Sequence, residues 1–162
     1  VRPTRRAVLG APLLLALPHA SAPADTYASL LAEEHAAIWL YGVLAPRLPD
    51  TLAEAARTAY DDHRRHRDLL AAAIRAAGGT PPAPKPAYGL PFALATTDAA
   101  RRLAIRVEDS LALRWHAAVG VVVARDRARV AGALADEAGH LATLRWSVAH
   151  HAAEAAQPFP GR

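Results

Sequence analysis

The sequence predicts an all-α domain: a four-helix bundle of two antiparallel hairpins joined by a long crossover. Three observations predict it. Ala and Leu dominate and long stretches carry no Pro, a composition that favours helix. Apolar residues recur at helical spacing in four segments. Between the second and third segments lies TPPAPKPAYGLPFALAT, residues 80–96, whose five Pro exclude regular helix. With 162 residues the chain can bury the core of one domain.

Helix one is expected to start at Asp25–Thr26, both good N-cap residues, and to run to Ala45, where ProArgLeuPro at 46–49 stops it. Asp50 and Thr51 offer the next cap, with Glu54 placed for a capping box opposite Thr51. Helix two runs to Ala77 and ends at Gly78–Gly79. Thr97 caps helix three, which reaches Ala124. Asp126 caps helix four, which reaches Ala155 before the tail QPFPGR. The short loops make each hairpin antiparallel. The crossover, about 19 residues, is long for a compact domain. Its length has a use, because helix two spans about 40 Å and the chain must return along it. Two hairpins and one crossover make the ferritin-like bundle topology. Tyr88, Leu90 and Phe92 are the expected anchors of the crossover.

Each helix carries an apolar stripe, and each stripe is interrupted by ionisable residues. The stripes are Tyr27, Leu31, Glu34, Ile38 and Tyr41; Leu52, Ala56, Ala59, His63, His66, Leu70 and Ala77; Ala104, Glu108, Leu111, Trp115, Val119 and Val122; and Val130, Leu134, Glu137, Leu141, Leu144 and Val148. His140 shares the face of Glu137. Burying one lone carboxylate costs several kcal/mol, so four such interruptions make sense only if they meet. Their heights agree: Glu34 and His63 lie 29 residues apart about one turn, and Glu108 and Glu137 lie 29 apart about the other. A His follows three residues on in both hairpins, His66 and His140.

This pattern is close to that of ferritin-like di-iron carboxylate proteins, a Glu from each of two helices and Glu-x-x-His from each of the other two. Glu34 and Glu108 match the single glutamates, Glu137 and His140 the second motif, and His66 the histidine of the first. His63 departs from it, standing where a bridging Glu belongs. The adjacent Asp62 points about 100° away on the helix, a poor substitute. The segments AEEHAAIWLYGV, AYDDHRRHRD and PPAPKPAYGLPFAL, with the closing FPG, resemble the uncharacterised actinobacterial ferritin-like family known as domain of unknown function 4439. The resemblance covers Tyr27 to Gly161. It implies the bundle fold, a recognisable second-helix block of His63, Arg67 and Asp68, and no settled activity.

The expected metal ligands are therefore Glu34, His63, His66, Glu108, Glu137 and His140. Three carboxylates and three imidazoles favour iron or manganese, with zinc also accommodated. Iron would allow dioxygen or peroxide chemistry. Without the bridging Glu, a single metal or an asymmetric pair is expected. The alternative is a metal-free bundle with a structural, binding or interaction role, whose polar core pairs within itself or with Arg67 or Arg114. No catalytic residue is singled out. Tyr41, Tyr60, Trp39, Trp115 and Trp146 read as packing residues. His35, His116, His150, His151 and Asp109 read as surface groups.

Residues 1–24 read as a twin-arginine-type signal: Arg5 and Arg6, an apolar run from Ala7 to Leu17, then small residues with a cut after Ala24. The expected location is the cell envelope or beyond, with the cytoplasm as the alternative. The apolar run is too short to span a membrane. Residues 25–162 then form the bundle. Outside the first 24 residues the 16 basic and 15 acidic residues nearly balance and alternate, so there is no nucleic-acid footprint. With no Cys, disulfides, thiolate metal sites and cysteine nucleophiles are excluded. A homodimer is compatible with the sequence, as is a small-molecule or protein partner. The short chain and Pro-rich crossover argue against a storage cage.

Overall fold

Four helices, α1 (Ala22–Leu44), α2 (Ala53–Ala76), α3 (Thr97–Val121) and α4 (Arg127–Ala155), make up the bundle in the computed structural model, which describes residues 22–155. Helices α1 and α2 form one antiparallel hairpin, α3 and α4 the other, and α1 also packs on α3. Residues 77–96 connect the hairpins without regular helix. The expected signal segment lies outside the described residues except for 22–24, where α1 has already begun, as does the closing tail.

The helix ends follow local chemistry, with corrections. Leu48 N–H bonds back to the carbonyls of Leu44 and Ala45 in a short 3-10 turn that ends the first hairpin arm. The expected capping box at α2 does not form. Asp50–Leu52 is itself a 3-10 turn, no side chain caps α2, and Glu54 turns out to Arg57 at 2.8 Å. At the other end, Gly78 N–H reaches Arg75 O and Gly79 N–H reaches Ile74 O, both at 2.9 Å, with Gly78 at φ +80°. This double bond pattern satisfies two carbonyls that the helix end would orphan. Gly78→Ala is expected to lower stability by about 1–2 kcal/mol through backbone strain alone, since no atom lies within 4 Å of the added Cβ. Urea denaturation would measure it. The cap of α3 is Thr96, one residue earlier than expected, whose hydroxyl accepts from Ala99 N–H at 3.1 Å. Helix α3 stops at Val121, and Asp126 gives its carboxylate to the Tyr27 hydroxyl at 2.8 Å.

The core divides in two. Near the start of α1 and the α3–α4 turn, Tyr27, Leu31, Leu70, Ile74, Trp115 and Val130 pack together. Near the α1–α2 turn and the start of α3, Tyr41, Leu44, Leu52, Ala56, Leu103 and Leu144 form a second cluster. Ile74, not the exposed Ala77, closes the α2 stripe, because the helix ends before Ala77 can turn inward. Val148 is also exposed. Trp146 is 71% exposed and so is not a packing residue. On the crossover, Tyr88 stacks at a tilt on Trp39 with ring centres 5.9 Å apart, and Phe92 and Leu94 lie against the second cluster. Leu90 points outward instead. His35 is half-buried rather than a free surface group, and its Nε2–H donates to Pro82 O of the crossover at 3.2 Å. Among the described residues no helix is long and apolar enough to cross a membrane.

Candidate metal centre

A polar layer separates the two apolar clusters. Helix α1 supplies Glu34, α2 supplies Asp62, His63 and His66, α3 supplies Glu108, and α4 supplies Asp136, Glu137 and His140. All six expected ligands come together here. Glu34, His63, Glu108 and Glu137 have no exposed surface at all.

His63 stands midway between the single glutamates, with Nδ1 2.9 Å from Glu34 Oε2 and Nε2 3.3 Å from Glu108 Oε1. The other two histidines are arranged alike. His66 turns Nδ1 inward to Glu137 Oε1 at 3.1 Å and Nε2 outward to Asp136 Oδ2 at 3.2 Å. His140 turns Nδ1 inward to Glu108 Oε2 at 3.2 Å and Nε2 outward to Asp62 Oδ2 at 3.0 Å. Each hairpin thus lends its histidine to an Asp of the other. Arg65 spans these two acids, paired with Asp62 and 3.5 Å from Asp136. The Tyr41 hydroxyl donates to Glu108 Oε1, and the Trp115 indole N–H donates to Glu34 Oε1 at 2.8 Å.

The electrostatics follow from burial opposed by pairing. Burial raises the Glu34 pKa, but hydrogen bonds from His63 and His66 outweigh it and hold the group below the usual carboxylate range. Burial likewise opposes ionisation of Glu108, yet His140 and His63 pull it well below that range. For Glu137 burial wins and its pKa is raised. Burial disfavours the charged imidazoles, but their carboxylates prevail. His63 is pushed well above its usual value, His66 to about 10, and His140 upward. Burial and Glu108 hold the Tyr41 phenol protonated.

Two quartets of donors overlap: Glu34, His63, His66 and Glu137, and His63, Glu108, Glu137 and His140. In each, one donor atom from every residue lies within 4.8 Å of all the others. The donor set fits a metal of borderline hardness, since the chain offers carboxylate and imidazole but no Cys or Met. Glu137 belongs to both quartets, and its Oε2 is buried with no hydrogen bond donated to it. Such an oxygen needs a proton or a cation. The outward Nε2–Asp contacts are also what a metal-ligating imidazole requires, because they fix ring orientation and leave Nδ1 for the metal.

Asp62 does not stand in for the missing bridging Glu; it turns to His140. The roles of Asp62 and Asp136 were legible in one signal, since DHRRH and DEAGH both place Asp four residues before His. Their crossing between hairpins was not legible. Tyr41 and Trp115 pack as expected but also hold Glu108 and Glu34. Tyr60 is half-buried at the surface. The two candidate arginine counter-ions stay outside: Arg67 pairs with Asp68, and Arg114 with Glu33. Asp109 pairs with Arg145 at 2.9 Å on the surface, and His116 and His150 are exposed. The side chain of His151 lies outside the described residues.

A family model described as a domain of unknown function (DUF4439) matches residues 26–162. Among solved structures, the chain is similar to a conserved hypothetical protein, rv2844, from Mycobacterium tuberculosis. The identity is 29% and the TM-score 0.76, over 88% of this chain and 96% of that one. No curated protein matches the chain.

Proposed function

The chain belongs to this DUF4439 family of unknown function, and from that premise and the donor set of its core we propose that the bundle binds iron or manganese for redox chemistry. The observation that carries this reading is the pair of overlapping quartets meeting at Glu137, whose Oε2 has no donor. The residues that would hold the metal are Glu34, His63, His66, Glu108, Glu137 and His140. Iron bound there would supply one-electron chemistry toward dioxygen or peroxide.

The chain's own residues set the terms. A neutral imidazole has one lone pair, so His63 cannot bridge two ions as a carboxylate does. A single metal or an asymmetric pair follows. Asp62 and Asp136 orient His140 and His66, and Arg65 holds both acids. Tyr41 and Trp115 keep Glu108 and Glu34 in place, and the two apolar clusters bound the layer on either side. A single Glu on α1 and α3, with Glu-x-x-His on α4 and His-x-x-His at the matching height of α2, supports a ferritin-like ancestry. The twin-arginine-type signal at residues 1–24 supports export, a route suited to a domain that acquires its metal before crossing.

Metal analysis of protein purified without chelators tests the reading; a metal-free preparation that takes up neither ferrous iron nor manganese would end it. Asp62→Asn and Asp136→Asn are each expected to weaken manganese binding about 10–100-fold, measured by calorimetry, by loosening the histidine each orients.

A second reading has its own observation: all three histidines find carboxylates on both ring nitrogens, as in a self-neutralising network without metal. It makes a pH prediction. His66 faces Glu34, Glu137 and Asp136, and its pKa rises from 6.5 to about 10 on folding. The stability from its positive charge is fully present below pH 6.5 and is lost as pH climbs through 10. Glu34, with its pKa lowered, contributes stability above 4.5 that is lost in acid. The melting temperature of chelator-treated protein should therefore fall steadily between pH 6.5 and 10. Metal affinity should rise over the same range, because ligating imidazoles must be unprotonated. A flat melting profile would sink the network reading.

A further inference from the structure

A cleft of about 380 Å³ opens between α2 and α4, with Ala55, Ala56 and Ala59 on one wall and Thr143 and Leu144 on the other. Its floor is Tyr41 and His140. It reaches the polar layer at His140. The alanines make the opening, since a larger side chain at any of them would fill it.

The two floor residues hold the two oxygens of one carboxylate. Tyr41 donates to Glu108 Oε1, and His140 Nδ1 meets Glu108 Oε2 at 3.2 Å. The cleft therefore ends on the Glu108–His140 half of the centre. On the opposite half the Glu34 side is covered. The fully buried Trp115 caps Glu34 with its indole N–H and lies edge-on to His66, ring centres 5.4 Å apart. We propose that the centre is served from one side: small uncharged molecules of the size of dioxygen or hydrogen peroxide reach the Glu108–His140 half through the α2–α4 cleft, while Trp115 covers the Glu34 side. The walls favour this class. Thr51, Glu54 and Thr58 also line the cleft, but an ion passing between the methyls of the alanines and Leu144 would have to shed its hydration.

The proposal rests on the metal reading for its use but not for its geometry, and the experiment separates the two. In metal-free full-length protein, dissolved dioxygen shortens the relaxation times of methyl protons it can approach. The methyls of Ala59 and Leu144 are expected to show severalfold more enhancement than those of Ala118 and Leu70, which are equally buried in the other cluster. Thr143→Phe, at an exposed position that need not disturb folding, and Ala55→Phe from the facing wall should remove the difference. Equal enhancement at all four methyls overturns the proposal. With ferrous iron bound, nitric oxide association should slow at least tenfold in both variants at unchanged iron content, and stay unchanged in Ala72→Phe, exposed elsewhere on α2. An unchanged rate in the cleft variants also overturns it. Failure to load iron would instead count against the metal reading, with the methyl relaxation still deciding the cleft.

Discussion

Glu34→Ala is expected to destabilise the metal-free protein by about 3–5 kcal/mol, the cost of breaking a buried ionic network by removing one partner. Three groups lean on this carboxylate: His63 at 2.9 Å, the Trp115 indole at 2.8 Å and His66 at 3.6 Å. Truncation leaves the indole N–H without an acceptor in a place water does not reach. It also strips His63 Nδ1 of its nearer carboxylate, leaving Glu137 at 3.4 Å, and it opens a cavity beside Trp115. Against a total stability of about 5–15 kcal/mol, typical of a domain, the change is large. The neighbouring Glu33→Ala is the control. Its partner Arg114 is largely exposed, so the cost should stay within about 1 kcal/mol. Urea denaturation of both variants decides; a Glu34→Ala protein within 1 kcal/mol of the parent would mean that the layer is not a cooperative network.

Glu137→Gln should do the reverse, sparing stability and abolishing metal binding. Glu137 is the one acid common to both quartets, so losing its charge weakens both together. Glu34→Gln or Glu108→Gln should leave one quartet of donors. The expected loss of manganese affinity in Glu137→Gln is at least 100-fold, about 2.7 kcal/mol or more. In the metal-free protein the same change is mild or favourable. Burial and then the nearby Glu108 charge already push the Glu137 pKa upward, and its Oε2 receives no hydrogen bond. A group that burdens the folded chain until a cation arrives has the signature of a binding residue. Calorimetric titration with manganese beside thermal melts would show the split; unchanged affinity in Glu137→Gln would remove Glu137 from the site.

The contrast between these two glutamates marks where sequence reading stopped. Both interrupt an apolar stripe at matching heights, and spacing alone could not tell them apart. Stripe periodicity placed Glu34, His63, His66, Glu108, Glu137 and His140 on inward faces because 3.6-residue geometry is a local property. The capping box at Thr51 failed for the opposite reason: competing turn geometries there differ by little, and a 3-10 turn drawn tight by Leu48 and Leu52 won. Trp146 shows the same limit: an aromatic residue near a stripe reads as core, but it stands two residues, about 200° of helix, from the buried Leu144 and faces outward.

By itself the sequence determined four helices, two hairpins, a proline-bound crossover and a buried layer of acids and histidines, all consequences of local periodicity and chain length. Only the tertiary structure decided the pairing within that layer. It crossed Asp62 to His140 and Asp136 to His66, set His63 between two glutamates, left a cleft over Tyr41 and His140, and laid Trp115 over Glu34. Those outcomes depend on helix rotation and on side-chain packing across the bundle, to which residues 29 or more positions apart contribute jointly and which no stretch of sequence encodes alone.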